Sequence, residues 1–450
     1  MLGPKLFAAR AVATLSRRTG RGGTSLPGKV LMKLEPSAME QLSSRLDRGS
    51  AVISATNGKT TTAAMAAAIL DFSGARLVHN SAGANMSGGI ATTLLDAADG
   101  AGIDGDTGLF EVDEFWLADV VGQVHPKTLL LANLFRDQLD RYGELETIAE
   151  RWAELVRGLR TTRIVLNADD PLVAGLADRN VVHFGVEDTG VALEGMQHAS
   201  DAKHCRVCGS PYVYDAIFLG HLGHYHCDNC GAKRPTPEIA AENVVLDGVR
   251  GAKFTLRTPD GSAEIALPLP GLYNVYNALG AAALTRAMGA SLAEITAGLH
   301  AVAPAFGRAE TVQIEGRDVL VLLIKNPAGA NEVLRTLVLE EGQHDLLCVL
   351  NDKIADGRDV SWIWDADFEV LAPRVRRAVC SGTRASEMAL RLKYAGVPEE
   401  SLVVVDKLEH ALDEAVSGSG ERLMALPTYT AMLELRELLA DRGLVKGQFT

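Results

Sequence analysis

Four cysteines have the spacing of a metal site. They form two Cys-x-x-Cys pairs separated by 18 residues, which suits a four-cysteine zinc ribbon. The predicted ligands are Cys205, Cys208, Cys227 and Cys230. Gly209 and Gly231 follow the pairs, where a positive φ would help each turn present two thiolates to one ion. Four thiolates leave no open position, so structural zinc is expected; three cysteines with His204 or His226 is the alternative.

A second candidate site is SATNGKTTT, residues 54–62. Backbone N–H groups at a helix start bind phosphate, Lys59 can reach the β and γ phosphates of a nucleotide, and the Thr60 hydroxyl can ligate Mg²⁺. Ile53 stands where the full phosphate-loop pattern has its first glycine, so an ordinary helix start is the alternative interpretation. The predicted ATP-binding residues here are Asn57, Gly58, Lys59, Thr60 and Thr61.

A phosphate loop also needs a carboxylate near Mg²⁺. The segment LFEVDE places Glu111, Asp113 and Glu114 just after a predicted strand. Glu111 is nearest the strand end and is our magnesium candidate, together with Thr60. A solvated group of acids is the alternative.

The segment NDKIADGRDVSWIWD, residues 351–365, combines four aspartates with two of the four tryptophans. Aspartates favour loops that face water, whereas tryptophans favour burial. This combination suggests that the segment is anchored in its own domain or lies under a partner.

The elements that must position these residues alternate between strand and helix. Short apolar strands from GSAVIS (49–54) to VVHFGV (181–186) predict a parallel sheet covered on both faces. A cysteine-rich insertion follows at about 198–237, then a Pro-Asp-Gly hairpin and an alanine-rich helix. A second α/β region of Rossmann-like type begins near residue 312. The predicted domains are 1–48, a basic helix and loop; 49–311, the nucleotide domain; and 312–450, a C-terminal α/β domain.

Composition narrows the class of protein. The 450 residues carry a formal charge of −13, which disfavours a nucleic-acid binder, and no apolar run is long enough to span a bilayer. Residues 1–34 hold seven Lys or Arg and no acid. We interpret them as a basic first helix followed by the loop RGGTSLPGK, with a transit peptide as the alternative. A cytoplasmic compartment is expected.

Three motifs resemble the Mur ligases and folylpolyglutamate synthases. ATNGKTTT is similar to their phosphate loop, LPGLYNVYNALGAAA to their adenine-binding segment, and FGRAE to their interdomain linker. In that family ATP activates a carboxylate as an acyl phosphate, which an amine attacks. The resemblance assigns Asn274 to adenine and Arg308 to the ribose, in addition to the assignments of Lys59, Thr60 and Glu111. Ala55 departs from the usual glycine, and Gln138 from the usual histidine.

The MurT branch of the family is more similar still. It shares RGGTSLPGK, FRDQLDRYGE, the cysteine insertion, LLIKNPAG, DGRDVSWIWD and LPTYTAM. This resemblance implies ATP-dependent amidation of the α-carboxylate of D-glutamate in lipid II, giving D-isoglutamine, at the inner face of the cell membrane. Lipid II is the membrane-anchored precursor of peptidoglycan.

Such amidation draws its ammonia from glutamine, which requires an activated cysteine. Cys348 and Cys380 lie in predicted buried strands, so we expect a separate glutaminase, and the resemblance implies a GatD-like subunit in a heterodimer. The resemblance also makes Asp356 the carboxylate that orients the partner's histidine, with Asp352 and Asp359 as substitutes. A cap of the following helix is the alternative role. Two other functions stay open: a stand-alone amino-acid ligase, and a zinc-ribbon binding protein with an ATP switch.

Overall fold

The computed structural model describes residues 3–18, 25–80, 84–137, 145–197, 200–303, 308–420 and 422–445, with backbone alone for 15–18 and 308. The helices are α1 (Gly3–Arg18), α2 (Leu26–Leu34), α3 (Ala38–Ser43), α4 (Lys59–Phe72), α5 (Ser87–Ala97), α6 (Leu117–Val124), α7 (Leu145–Gly158), α8 (Leu272–Ala287), α9 (Leu292–Ala301), α10 (Pro327–Val338), α11 (Ala385–Tyr394), α12 (Leu408–Val416) and α13 (Tyr429–Asp441). The strands are β1 (Gly49–Ser54), β2 (Leu77–His79), β3 (Ala98–Asp99), β4 (Gly102–Ile103), β5 (Thr107–Glu111), β6 (Thr128–Leu131), β7 (Arg163–Asn167), β8 (Val181–Val186), β9 (Val213–Leu219), β10 (Leu222–His226), β11 (Ile239–Leu246), β12 (Ala252–Thr258), β13 (Gly261–Leu267), β14 (Arg308–Ile314), β15 (Arg317–Leu322), β16 (His344–Val349), β17 (Val375–Ser381), β18 (Leu402–Val404) and β19 (Arg422–Pro427).

The larger sheet has nine strands in the order β13-β12-β11-β8-β7-β6-β1-β5-β2. Within this sheet the seven strands β11, β8, β7, β6, β1, β5 and β2 pair in parallel. Strands β12 and β13 extend it as an antiparallel hairpin at the predicted Pro-Asp-Gly turn. Parallel strands need helical crossovers, which cover both faces of the sheet. The α/β fold class expected from the sequence is confirmed.

Alternation along β1 shows how both faces are filled. Ala51 and Ile53 are fully buried in a core that includes residues of α4, α8 and α9. Val52 points to the other face, into a core that includes residues of α1 to α3 and α5 to α7. The sheet is therefore buried between two helical layers, as the continuously apolar strands predict.

The N-terminal segment joins the second of these layers. Its basic first helix is α1, and Leu6 and Leu31 are buried in the sheet's core. Of the loop predicted over 21–29, residues 26–29 belong instead to α2, which begins at Leu26, and residues 21–24 lie outside the described residues. Pro27 lies in the first turn of α2, where its missing N–H costs no helical hydrogen bond.

A second sheet forms the C-terminal region, in the order β14-β15-β19-β16-β17-β18. Only β14 is antiparallel to its neighbour among these strands. Val319 and Val321 pack on one face of the sheet, and Leu320 and Leu322 pack on the other. This is the predicted second α/β region. No helix of the described ranges is both long and apolar enough to cross a membrane.

The cysteine-rich insertion does not interrupt the larger sheet. It lies between β8 and β11 in the chain, yet these strands pair directly, with Ile239 opposite Phe184. Its own β9–β10 hairpin places Phe218, which is fully buried, in the sheet's core. The insertion is thus packed onto the nucleotide domain.

Candidate ligase site and four-cysteine cluster

The phosphate loop joins β1 to α4. Gly58 precedes Lys59, the first residue of α4, and has a φ of +82°. A Cβ on Gly58 would lie 2.0 Å from Oδ1 of Asn277, so this turn requires glycine for both its φ and its contact. Ala55 is not among the described non-glycine residues with positive φ, so alanine fits the position where the family has glycine.

Lys59 is held by a carboxylate that lies just past the end of the neighbouring strand. Its Nζ donates to Oε2 of Glu114 at 2.9 Å and to the carbonyl of Ala55. Burial opposes the charged ammonium, but Glu114 and then Glu111 and Asp113 outweigh it and raise the pKa of Lys59. The loop therefore carries a charged lysine that is surrounded by carboxylates.

Glu111 is fixed by its strand. It is the last residue of β5, is 3% exposed, and lies opposite Ile53 in the β1 register. The side-chain amide of Asn80 bonds both its N–H and its carbonyl, at 2.9 and 2.8 Å. The predicted magnesium acid is thus at the same sheet edge as the phosphate loop, while Glu114 is the acid that contacts Lys59.

Two asparagines missed by the sequence analysis hold the loop, one through the backbone of Asn57 and the other through its side chain. Asn133 follows β6, and its amide both accepts from the Asn57 N–H at 2.9 Å and donates to the Asn57 carbonyl at 3.0 Å. The Asn57 side chain exchanges two hydrogen bonds with Asn326, at 2.9 and 3.3 Å. Asn326 also caps α10 by accepting from the Gly329 N–H. The signal for this contact was the Asn-Pro in LLIKNPAG, which marks a helix start.

Lys325 brings a second cation from the C-terminal region. Its Nζ donates to Asp137 at 2.7 Å and to the Thr56 carbonyl at 3.2 Å. The phosphate loop is therefore contacted by residues that follow strands of both large sheets.

Asn274 lies one layer behind the loop. It is buried, donates to the Pro270 carbonyl at 2.8 Å, and accepts from Asn277 at 3.0 Å. Asn277, not singled out from the sequence, is the amide against Gly58 and accepts from the Thr62 hydroxyl at 3.2 Å. Arg308 begins β14, but its side chain is outside the described part of the structure, as is Gln138.

Asp356 lies in a tight turn and is 6% exposed. Gly357 has a φ of +85°, as the predicted turn requires. The Asp356 carboxylate accepts from the Thr430 N–H at 2.7 Å and from the Thr430 hydroxyl, at the start of α13. Asp356 therefore caps a helix distant in sequence rather than the one that follows it. Burial outweighs these bonds and raises the pKa of Asp356.

The two other candidate aspartates are engaged locally. Asp352 accepts from the Thr383 hydroxyl and from the Arg384 guanidinium, each at 2.7 Å. Asp359 is exposed and accepts from the Ser361 N–H at 2.8 Å. Asp356 is the only one of the three that is buried.

The tryptophans of this segment differ in their surroundings. Trp362 packs against the C-terminal core. Trp364 is 48% exposed and meets the edge of Tyr394, with ring centroids 5.8 Å apart. The segment is thus anchored in its own domain and also exposes an aromatic surface.

One pocket lies between this segment and the neighbours of the phosphate loop. Asp356, Asp359 and Trp362 contribute from one side, and Lys325 and Asn326 from another. Arg136, Asp137, Pro327, Ser361 and Asp365 complete the lining. Residues of the C-terminal region that are about 30 positions apart in the sequence, such as Asn326 and Asp356, thereby line one cleft beside the phosphate loop.

The four predicted cysteine ligands meet in a single cluster. Their Sγ atoms all lie within 4.8 Å of one another, and the Cys205–Cys230 and Cys208–Cys227 pairs are 3.6 and 3.5 Å apart. Tetrahedral zinc with Zn–S of about 2.3 Å separates its sulfurs by about 3.8 Å, so the donor set fits. The cluster can hold a metal ion.

The two turns of the cluster have the same geometry. Gly209 and Gly231 each have a φ of +75°, as predicted. Each donates its N–H to the backbone carbonyl of the first cysteine of its pair, at 2.8 and 2.9 Å. His226 is turned to Asp215 and Asp228, at 3.1 and 3.2 Å, so the four-cysteine set is favoured over a set that includes it.

The remaining cysteines are core residues. Cys348 and Cys380 lie opposite each other in β16 and β17 and are fully buried. Burial raises the pKa of Cys348, and raises that of Cys380 to about 12. Neither thiol has the properties of a nucleophile.

Comparisons with known proteins agree with this architecture. The family model of the Mur ligase middle domain matches residues 53–233. A pseudomurein peptide ligase type C from Methanothermus fervidus has the same fold, with a TM-score of 0.68, 24% identity, and coverage of 89% of this chain and 80% of that one. MurF from Acinetobacter baumannii has a TM-score of 0.66 at 20% identity, covering 93% and 79%. The chain therefore has the fold of the Mur ligases, and its phosphate loop lies within the part that matches their middle domain.

The C-terminal region narrows the class. The MurT ligase C-terminal family model matches residues 323–432. The subunit MurT of lipid II isoglutaminyl synthase (glutamine-hydrolyzing) from Streptococcus pneumoniae is 34% identical over 445 residues, with 98% of each chain covered. The corresponding MurT subunit of Staphylococcus aureus is 33% identical over 446 residues, again covering 98% of each. The chain belongs to the MurT family of Mur ligases.

Proposed function

We propose that this chain is the synthetase subunit of a glutamine-dependent amidotransferase, which converts the α-carboxylate of D-glutamate in lipid II to the amide. The observation that supports this most is the shared pocket, where the acid-rich segment meets the neighbours of an ATP-type phosphate loop. An amide-forming site and a residue of a glutaminase site would then adjoin across one cleft. The relatives named above carry this activity in their names.

In the first step a carboxylate oxygen of D-glutamate attacks the γ-phosphorus of ATP, and ADP leaves. Lys59 would leave Glu114 for the β and γ phosphate oxygens, since its charge is already maintained by the surrounding acids. The loop from Asn57 to Thr61 would bind the phosphates by backbone N–H groups. Thr60 and Glu111 would hold Mg²⁺, which offsets the charge that develops on the phosphates.

The other nucleotide contacts follow the family pattern. Asn274 would meet adenine, with Asn277 between it and the loop, and Arg308 would meet the ribose. Lys325 lies where a second cation could stabilise the acyl phosphate, because it reaches the Thr56 carbonyl from the pocket side.

In the second step ammonia attacks the acyl carbon and phosphate leaves, which gives the amide. Both non-cluster cysteines are inert core thiols, so ammonia would come from a separate glutaminase. The resemblance to the MurT family implies a GatD-like subunit in a heterodimer. Asp356 would accept the N–H of the partner's catalytic histidine and hold its tautomer. Because the substrate is linked to a lipid, we expect the complex in the cytoplasm, peripheral at the inner face of the membrane. We expect no nucleic-acid partner.

The four-cysteine cluster would bind one structural Zn²⁺. Its donor set and sulfur separations support this assignment. The ion would fix two turns of an insertion that contributes a hairpin to the nucleotide domain's core.

The test is the purified chain with ATP, Mg²⁺, lipid II and a high concentration of ammonium chloride, without any partner. Mass spectrometry should show isoglutamine, and Lys59→Ala should abolish it. Lys203→Ala is a matched control, because Lys203 is an exposed lysine of the insertion with no described contact to the phosphate loop. Addition of an amino acid instead of ammonia would indicate a stand-alone ligase, and ATP binding with no product would indicate a binding protein with an ATP switch.

A further inference from the structure

Asp169 is a fully buried carboxylate that joins three parts of the molecule. It follows β7, and its Oδ1 accepts from Nε of Arg234 at 2.5 Å. Its Oδ2 accepts from the phenol of Tyr276 at 2.7 Å and from the Val186 N–H at 2.8 Å. Three donors of the protein thereby fill most of the roughly four acceptor positions of the Asp169 carboxylate, without solvent.

The cation of this group comes from the cysteine-rich insertion. Arg234 follows Lys233, which bridges to His226 at the second cysteine turn. The Arg234 side chain is 10% exposed, and its guanidinium also donates to Glu187 at 2.7 Å and to the Val186 carbonyl at 3.1 Å. Its backbone N–H is fixed as well, to the Tyr225 carbonyl at 3.0 Å. Arg234 is therefore held rigidly by the insertion while it reaches the central sheet.

The phenol belongs to the helix behind the phosphate loop. Tyr276 and Asn277 are consecutive residues of α8, so any rotation of the helix that moves the phenol also moves the amide. Asn277 accepts from the Thr62 hydroxyl at 3.2 Å and packs directly on Gly58. The orientation of α8 is thus coupled to the geometry of the loop.

We propose that Arg234 and Tyr276 are positioning residues for the nucleotide site, and that the insertion controls ATP affinity through Arg234–Asp169–Tyr276 and Asn277. This inference rests on the proposed ATP site. Both residues contact Asp169, and both would act by fixing α8 against the loop rather than by binding the nucleotide.

The charge of Arg234 is needed for this coupling. Burial raises the pKa of Asp169, and Arg234 opposes that shift. Without the guanidinium the carboxyl would take up a proton more readily and would be a weaker acceptor for Tyr276. Loss of Arg234 and loss of the phenol hydroxyl should therefore affect the same bond.

A matched control is present in the same insertion. Arg206, between Cys205 and Cys208, also reaches the central domain, where its Nη1 donates to the Leu172 carbonyl at 2.7 Å. Arg206 thus anchors the insertion as Arg234 does, but it makes no described hydrogen bond to Asp169 or α8. Arg206→Met removes an anchor without touching the proposed coupling.

The experiment measures ATP binding to the full chain by isothermal titration calorimetry with MgCl₂, together with the melting temperature of each variant. Tyr276→Phe and Arg234→Met should each weaken ATP binding roughly 2- to 30-fold, the usual range for residues that modulate a site indirectly. Arg234→Lys should restore part of the loss, because it keeps the charge but not the fork of donors. Arg206→Met should bind ATP within about twofold of the unmodified chain.

The double variant separates coupling from general loosening. Tyr276→Phe with Arg234→Met should bind no more weakly than the weaker single variant, since Arg234→Met weakens the same Asp169–Tyr276 bond that Tyr276→Phe removes. Additive losses, or normal ATP affinity in the folded Tyr276→Phe variant, would overturn the inference. If the unmodified chain does not bind ATP, the proposed nucleotide site is wrong and the inference falls with it; normal binding with unaffected variants overturns the inference alone.

Discussion

Asp356 provides the sharpest test of the link between the two proposed active sites. Its carboxylate makes two bonds to Thr430 at the start of α13 and has a second, proposed role toward a partner's histidine. Asparagine caps helices about as well as aspartate, so Asp356→Asn should cost less than about 1 kcal/mol of stability. Asp356→Ala removes both bonds and should cost about 1–2 kcal/mol. Neither loss unfolds a domain of ordinary stability.

The expected effect on catalysis is much larger. Replacing the carboxylate of a catalytic triad by an amide lowers turnover about 10⁴-fold, because the histidine is held in the wrong tautomer. Glutamine-driven amidation by the complex should therefore nearly vanish in Asp356→Asn. Amidation driven by ammonium chloride should stay near the unmodified rate, because ammonia bypasses the glutaminase.

The assay follows isoglutamine formation by mass spectrometry with each nitrogen source, and complex formation by gel filtration. Asp359→Asn is the matched control, because Asp359 lines the same pocket but is exposed and bonded only within its own turn. Equal loss with both nitrogen sources would mean that Asp356 supports the ligase site itself. Loss in Asp359→Asn with normal activity in Asp356→Asn would transfer the triad role to Asp359.

Three further predictions concern the phosphate loop, a buried acid and the cysteine cluster. Gly58→Ala should abolish ATP binding measured by calorimetry, since its Cβ would lie 2.0 Å from an amide oxygen at a φ of +82°, whereas Ala55→Gly should bind ATP normally; equal behaviour of the two would contradict the loop geometry. Burial raises the pKa of Glu332 to about 7 from 4.5, so the folded state binds this proton more tightly than the unfolded state. The resulting stabilisation is complete below pH 4.5 and is lost by about pH 7, an effect of about 3 kcal/mol; Glu332→Gln should thus melt higher than the unmodified chain at pH 8 but not at pH 5, and parallel pH profiles would refute this. Elemental analysis should find one zinc per chain that Cys208→Ser loses and Cys380→Ser keeps, and removal of zinc by a chelator should lower the melting temperature before it slows the chemistry; an unchanged melting curve would count against a structural site.

Much of the fold could be predicted because the strands are short, apolar and separated by helical segments. The cysteine spacing likewise specified which residues cluster, since a Cys-x-x-Cys turn is a local structure. The positive φ values at Gly209, Gly231 and Gly357 follow from the same local geometry. Local patterns of this kind do not depend on how distant segments meet.

Contacts between distant segments were not predictable in this way. Asn133 and Asn326 hold the phosphate loop from positions 76 and 269 residues away. Asp356 was expected to cap the helix that follows it, as one alternative, but a carboxylate can cap any helix start that tertiary packing brings near. Residues 26–29 were predicted as loop but belong to α2, because Gly and Ser around Pro27 also occur at helix starts.

The most direct test of the central claim is isotope transfer from the substrate to phosphate. Lipid II with ¹⁸O in the α-carboxylate of D-glutamate is incubated with the chain, ATP, Mg²⁺ and ammonium chloride, and the released phosphate is analysed by mass spectrometry. Attack of the carboxylate on the γ-phosphorus predicts one ¹⁸O in phosphate for each isoglutamine formed. Isoglutamine formed with unlabelled phosphate would contradict an acyl phosphate, and with it the proposed ligase chemistry.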